Sequence, residues 1–264
     1  MPAHHQGTGL DSWDRLEAEI VACRACPRLV AWRERVAREK RRAYRDWDYW
    51  GRPVPAFGDP NARLLIVGLA PGAHGSNRTG RMFTGDSSGD TLYAAMYRAG
   101  FASQPTGRHR DDNLQLRDAL VTAVARCAPP GNRPTAEELA ACRPFLAREW
   151  ALMPQTRIVL ALGKVAFDNT LRLLADQGYD LPGLGFAHGA HYLLDSVWSD
   201  RPKHLIACYH PSRQNTQTGR LTTAMLDEVF ELVRSVMTGQ AEEQHPQKDP
   251  LTGKGGGSVW DAKL

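Results

Sequence analysis

The chain has 264 residues, of which 42% are hydrophobic and 23% charged, and its formal net charge is +4. This length suits a single α/β domain with tails, and the mild positive charge is compatible with a nucleic-acid partner without requiring one. No apolar run reaches eighteen residues, and the first residues lack a basic region followed by an apolar stretch. We therefore expect neither a membrane span nor a secretory signal.

The apolar pattern predicts helices and strands that alternate along the chain. In order, these are a helix over 11–38, a strand over 63–69, a helix over 88–100, a strand over 120–125, a helix over 135–151, a strand over 158–162, a helix over 164–175, a short hairpin within 178–203, a strand over 204–209 and a helix over 221–237. We expect one domain over 11–238, with disordered segments at 1–10 and 239–264.

The alternation predicts a four-stranded parallel sheet that is covered by helices on both faces. In such sheets the functional site lies beyond the carboxyl ends of the strands. Three unusual motifs follow predicted strands directly, after Leu69, Arg126 and Tyr209. They are therefore expected to meet at one edge of the sheet.

The five cysteines are interpreted as metal ligands or buried thiols, because the expected cytoplasmic location keeps thiols reduced. Cys23 and Cys26 form a C-x-x-C motif, Cys127 follows the second strand and Cys142 lies on the next helix. Four such thiolates can form a tetrahedral site for zinc or hold an iron–sulfur cluster, and a set of buried thiols is the alternative. Cys208, inside an apolar strand, is expected to be an inert core thiol.

The first and last motifs have the composition of ligand-binding loops. The first, over 68–86, is rich in glycine, which lets backbone N–H groups approach an anion or a carbonyl closely. It lacks the G-x-x-x-x-G-K-[ST] pattern, which excludes a P-loop nucleotide-hydrolysing enzyme. The last, over 209–220, is polar and contains two arginines, a composition suited to phosphates and groove edges of a nucleic acid.

Three motifs, occurring in order, are GLAPGAHGSNRTGRMFTGD, RCAPPGNRPT and YHPSRQNTQTGRLT. With them, the chain from about Leu16 to Met237 closely resembles the type-5 uracil-DNA glycosylases. The resemblance implies a three-layer α/β/α sandwich and a [4Fe–4S] cluster held by Cys23, Cys26, Cys127 and Cys142. It also implies a monomeric repair enzyme in the cytoplasm of a prokaryote, associated with the nucleoid, that hydrolyses the N-glycosidic bond of a damaged base in DNA and leaves an abasic site.

The resemblance assigns three catalytic residues. Asp86 would hold or activate the water, with a helix N-cap as the alternative role. His210 would face the leaving base, and Asn132 would assist, with a turn residue as its alternative. The expected base pocket consists of Gly68, Ala70, Gly72 and, stacked on the flipped base, Phe83. The expected DNA contacts are Arg213, Gln214 and Asn215.

Two departures from sister families bear on the substrate. Leu69 stands where the closest sister family has Glu, and the stretch over 121–123 has no Asn. Both are typical of the type-5 branch and imply a looser pocket, which would accept hypoxanthine, ethenocytosine and hydroxymethyluracil besides uracil. A non-catalytic iron–sulfur protein that binds nucleic acid is the alternative, and the presence of both Asp86 and His210 argues against it.

Overall fold

The structure is a computed structural model that describes residues 11–196 and 204–239. The two segments expected to be disordered lie outside the described residues, apart from Gly239. The strands are β1 (Phe57–Gly58), β2 (Leu64–Gly68), β3 (Ala119–Ala123), β4 (Ile158–Leu162), β5 (Tyr179–Asp180), β6 (His191–Leu193), β7 (Asp195–Ser196) and β8 (His204–Cys208). The helices are α1 (Trp13–Ala22), α2 (Pro27–Glu39), α3 (Ser76–Thr79), α4 (Ser87–Arg98), α5 (Ala136–Leu152), α6 (Lys164–Asp176), α7 (Arg213–Gln217) and α8 (Thr223–Met237).

The main sheet has six strands in the order β1-β3-β2-β4-β8-β6. Its four central strands are parallel, whereas β1 and β6 pair antiparallel at the two edges. The expectation of a four-stranded sheet is therefore corrected, because the short edge strands carry too few residues for a recognisable alternation. The register pairs Gly68 with Ala123 and Leu162 with Cys208, so the central strands end at one edge.

Helices cover both faces of this sheet. Successive side chains of a strand point to opposite faces, and all five residues of each central strand are buried. One core contains Leu64 and Ile66 of β2 together with residues of α4 and α8. The other contains Leu65 and Val67 with residues of α5 and α6. Among the described helices, none combines the length and the apolar character that a bilayer-spanning segment needs.

The helix expected over 11–38 is broken into α1 and α2. Cys23 and Cys26 both have extended backbone angles, and Pro27 is the first residue of α2. A residue before proline is disfavoured in the helical region, whereas proline itself suits the first helical position. The break therefore presents the C-x-x-C motif as a loop. The other expected helices are present within a few residues, and Thr135 and Glu138 form the expected capping box of α5.

Candidate active site

Asp86 both caps α4 and lies at the carboxyl edge of the sheet. Its Oδ1 accepts hydrogen bonds from the N–H groups of Ser88 and Gly89, at 3.1 Å each. The capping role weighed as an alternative is therefore present. Burial raises the pKa of the Asp86 carboxyl, while the two N–H donors and the nearby Arg78 guanidinium act in the opposite direction.

The second carboxylate oxygen, Oδ2, faces two glycines of the motif after β2. A Cβ atom on Gly72 would lie 2.6 Å from Oδ2, and one on Gly75 would lie closer still. The backbone between them is a tight turn, since the N–H groups of Gly75 and Asn77 both donate to Gly72 O, at 3.2 and 3.0 Å. Only glycine leaves space beside Oδ2 at these two positions.

His210 lies in the turn after β8. Its carbonyl accepts hydrogen bonds from Ser212 N–H at 2.7 Å and from Asn215 Nδ2 at 2.8 Å. Burial lowers the pKa of the imidazole to about 4, so His210 is neutral near pH 7. A neutral imidazole has one donor and one acceptor nitrogen, which allows it to donate a hydrogen bond without carrying a charge.

Phe83 connects the two loops. Its ring centroid is 5.9 Å from that of His210, with 30° between the ring planes. A Cβ on Gly68 would lie 2.7 Å from the Phe83 ring, so this glycine allows the ring to rest on the end of β2. Phe83 has a φ of 49°, a left-handed conformation that is strained for an aromatic residue. The structure thus brings together Phe83, Gly68 and His210, while stacking on a flipped base stays a prediction.

The other expected site residues vary in their placement. Ala70 is partly buried and packs against the second core. Asn132 is exposed in a turn, with a φ of 57° and its N–H donating to Pro129 O at 3.2 Å, as the turn alternative predicts. Its catalytic role stays a prediction. Arg213 and Gln214 are exposed on α7. Asn215 is only partly exposed, and its Nδ2 donates to the His210 carbonyl.

Arg78 is a site residue that sequence analysis did not single out. It is 3% exposed, and it donates from Nε to His74 O and from Nη2 to Gly85 O, both at 2.8 Å. The rings of Tyr44 and Trp47 lie 3.9 Å from its guanidinium carbon. Arg78 therefore holds the residue that precedes Asp86. The aromatic and basic stretch over 44–50 was the available signal, but its partner within the glycine-rich motif was not apparent.

His188 is a second residue that sequence analysis missed. Its Nδ1 accepts the N–H of Tyr209 at 3.2 Å, and the two rings stack with centroids 4.9 Å apart. Because Tyr209 precedes His210, this contact orients the end of β8. His188 comes from the glycine-rich stretch after β5, whose Gly189 N–H donates to Ala207 O at 2.8 Å. A lone histidine in such a stretch carries no sequence signal of this role.

Four cysteines from three segments line one small cavity. Arg33 Nη1 donates to Cys127 Sγ at 2.9 Å, and Arg126 N–H donates to Cys142 Sγ at 3.3 Å. Burial raises the pKa of the Cys127 thiol to about 11 and that of Cys142 to about 12. Within 11–196 and 204–239, no three His, Cys, Asp or Glu side chains are arranged to hold a single metal ion.

Cys208 matches the expectation of a core thiol. Its side chain is fully buried at the end of β8, and its Sγ donates to Tyr209 O at 3.2 Å. It lies apart from the cavity that the other four cysteines line.

Comparison with known proteins places this site in a family. The model of the uracil DNA glycosylase superfamily matches residues 55–234. The chain is 52% identical over 223 residues to the type-5 uracil-DNA glycosylase of Mycobacterium leprae, covering 84% of this chain and 94% of the relative. It is 54% identical over 211 residues to the type-5 enzyme of Thermus thermophilus, covering 80% and 92%. Identity to the type-4 enzyme of Sulfurisphaera tokodaii is only 27%, over 77% and 76%. The chain belongs to the type-5 branch of the uracil-DNA glycosylase superfamily.

Proposed function

We propose that this protein is a monofunctional DNA-repair glycosylase, which hydrolyses the N-glycosidic bond of uracil in DNA and leaves an abasic site. The observation that carries the proposal is that a carboxylate, Asp86, and a neutral imidazole, His210, stand on loops that leave the same edge of the sheet, with the Phe83 ring of the first loop packed near the His210 ring of the second. Relatives more than 50% identical are named as enzymes of this activity.

The two groups suit the two charges that develop during this cleavage. The sugar becomes cationic, and the base leaves as an anion whose negative charge is shared by its ring nitrogen and its carbonyl oxygens. Asp86 uses Oδ1 to cap α4, so Oδ2 is the oxygen that remains to hold a water beside the sugar. His210 donates a hydrogen bond to a carbonyl oxygen of the leaving base while neutral, which stabilises the developing charge without a prior proton transfer. The base must first leave the stack to reach this site.

We further propose a substrate range wider than uracil. Leu69 is partly buried and packs against the second core. As a leucine, it has no carboxylate to offer the base. Ala123, at the end of β3, offers no amide to read the edge of a pyrimidine. A pocket without these polar groups discriminates weakly among bases, because rejection of a wrong base depends on leaving buried polar groups unpaired. Hypoxanthine, ethenocytosine and hydroxymethyluracil are the substrates proposed besides uracil.

The cavity between the cysteines suits a [4Fe–4S] cluster held by Cys23, Cys26, Cys127 and Cys142. A single zinc ion requires its ligand atoms around one point, about 2.3 Å away for sulfur, and among the described residues no three such side chains are arranged in this way. The buried Arg33 guanidinium donates to Cys127 Sγ, and its Nε has no partner among the described residues. A buried cation requires an anionic partner, which thiolates bound to a cluster provide. When bound, the cluster supplies a rigid crosslink between α1, α2 and the loops around α5.

The exposed side chains of α7 are proposed to contact DNA. Arg213 and Gln214 lie beside the turn that carries His210, and they would bind phosphates or groove edges near the extruded nucleotide. The protein is proposed to act as a monomer on DNA, in the cytoplasm and nucleoid of a prokaryote. Asn132 is proposed to assist catalysis from the loop after β3, which leaves the sheet at its carboxyl edge.

A direct test uses duplex oligonucleotides that contain one uracil. Purified protein should convert them to products that alkali cleaves at the uracil position. Asp86→Ala should lower this rate by about a hundredfold or more while duplex binding survives. Asp168→Ala removes a half-buried carboxylate of α6 that pairs with Lys164, and it should leave the rate unchanged. Wild-type protein that binds the duplex without releasing any base would instead support the non-catalytic alternative.

A further inference from the structure

We infer that Asn77 is a positioning residue, which couples the helix beside the four cysteines to the turn that lies against Asp86. The inference rests on the proposed glycosylase function for its consequence, but its structural part is independent of activity. Three contacts form the route, and each is made by a buried residue. They join Cys127 to Arg33, Arg33 to Asn77, and Asn77 to the turn over 72–75.

The route begins at the cysteine cavity. Arg33 belongs to α2, is 2% exposed, and donates from Nη1 to Cys127 Sγ at 2.9 Å and from Nη2 to Cys23 O at 3.1 Å. One side chain thus contacts two of the three cysteine-bearing segments. The position of α2 at Arg33 therefore depends on how the cysteines are held.

The route continues through the backbone of the same residue. Asn77 Nδ2 donates to Arg33 O at 3.2 Å, and Asn77 itself is fully buried. The contact is reinforced from the following loop, because Gly51 N–H donates to Asn77 O at 3.0 Å. Asn77 Oδ1 is buried without a partner among the described residues. The acceptor Oδ1 of the Asn77 amide therefore stays unsatisfied among the described residues. The side-chain hydrogen bonds of Asn77 are those that Nδ2 donates.

The route ends at the carboxylate. Asn77 N–H donates to Gly72 O at 3.0 Å, and its Nδ2 also approaches Ala73 O at 3.4 Å. These bonds shape the 72–75 turn, whose two glycines face Asp86 Oδ2. The space beside Oδ2, where we place the water, is therefore set by the turn. A shift of α2 at Arg33 would be transmitted to this space through one buried amide.

The first experiment compares Asn77→Ala with Asn169→Ala. Asn169 is a matched control, because it is 4% exposed and donates one side-chain bond to Val165 O on α6, with no part in the route. Asn77→Ala should lower kcat by roughly tenfold to a hundredfold with little change in KM. It should also move the acid limb of the kcat/KM profile to lower pH, because a loosened turn admits water to Asp86 and its pKa falls.

The control separates positioning from general loss of stability. Asn169→Ala should lower the melting temperature to a similar extent while its acid limb stays at the wild-type pH. If both variants change kcat and the pH profile alike, or if Asn77→Ala leaves the acid limb in place, the positioning role is wrong.

The second experiment does not depend on activity. Hydrogen–deuterium exchange is measured on wild-type protein before the iron is removed. It is measured again after oxidation in the presence of a chelator has removed the iron. We expect exchange to accelerate at the amides of Gly75 and Asn77 and at those of Ser88 and Gly89, which Asp86 caps. The amides of β2, paired on both sides, should stay protected.

Exchange in Asn77→Ala completes the comparison. In this variant the turn should already exchange rapidly, and iron removal should add little. Unchanged exchange in the turn after iron removal, or acceleration that is uniform along the chain, would overturn the coupling. A protein that shows the local acceleration but releases no base would refute the glycosylase proposal alone, so the two failures are distinguishable.

Discussion

The loop after β2, which carries Asp86, is built around buried polar side chains, whereas the loop after β8, which carries His210, keeps most of its polar side chains at the surface. Asn77, Arg78 and Arg81 are each at most 5% exposed and donate hydrogen bonds to backbone carbonyls, of their own loop, of α2 and of the segment before β3. Arg213 and Gln214 are exposed. The first loop is therefore fixed from several sides, while the second presents side chains to a partner.

This difference corresponds to two demands of the proposed reaction. A carboxylate beside a cationic sugar must be held at a fixed distance. The contacts that hold it there are made within the protein. A loop that follows DNA must instead keep donors available for a partner that arrives later. His210 belongs to both, since its backbone is fixed by Asn215 while its neighbours on α7 are exposed.

The largest expected effect comes from removing the negative charge of Asp86 in the loop after β2. Asp86→Asn keeps an oxygen that can cap α4 but loses the negative charge beside the sugar, so kcat for uracil release should fall by about a hundredfold to ten-thousandfold. Single-turnover assays on a uracil duplex measure this, and the melting temperature should change little because the cap survives. Retention of more than a tenth of the rate would remove Asp86 from the mechanism.

Loss of the His210 imidazole should have the next largest effect. His210→Leu keeps much of the volume beside Phe83 but removes the donor, so the rate should fall by about a hundredfold. His210→Gln retains a neutral donor and should recover part of that loss. Equal rates in the two variants would mean that His210 acts by shape and not by hydrogen bonding.

His210 also predicts a dependence of stability on pH. Its pKa is about 4 in the folded protein, below the ordinary value of 6.5, so the unfolded chain binds the proton more tightly. The stabilisation is complete above pH 6.5 and is lost as the pH falls from there through 4, by up to about 3 kcal/mol. Denaturant unfolding at several pH values measures this loss, and it should be smaller in His210→Gln.

The close approach of the 72–75 turn to Asp86 can be tested with one methyl group. A Cβ at Gly75 would collide with Oδ2, so Gly75→Ala should displace the carboxylate and reduce the rate by about tenfold to a hundredfold. Gly185→Ala is the matched control, because nothing lies within 4 Å of a Cβ there. If both alanine variants are equally active, the turn does not define the space beside Oδ2.

The sequence predicted the strands and the two main site residues better than it predicted the residues that hold them in place. Continuous apolar runs identify β2, β3, β4 and β8, because strands of a parallel sheet are buried on both faces. The strand-end motifs then locate Asp86 and His210. In contrast, the break at Cys23 to Pro27 was missed although Pro27 was a local signal for it.

The supporting residues could not be predicted for a physical reason. Arg78 and Asn77 are polar residues in a glycine-rich stretch, and their burial depends on partners from 44–51 and from α2. Asn215 resembles a groove contact until its bond to the His210 carbonyl is known. A buried polar side chain is defined by its tertiary partners, which local pattern does not contain.

The smallest expected effect lies on the exposed loop. Arg213→Ala removes one cation from α7 without touching the buried site, so kcat at saturating DNA should stay near the wild-type value. Binding should weaken about equally for all sequences, and the slope of log Kd against log salt should fall by about one if Arg213 contacts one phosphate. Arg63→Ala, which loses an exposed arginine paired with Asp118 before β2, provides the control and should keep the wild-type slope. An unchanged slope for Arg213→Ala would mean that α7 presents its side chains to something other than the DNA backbone. The contrast between the two loops would then rest on exposure alone.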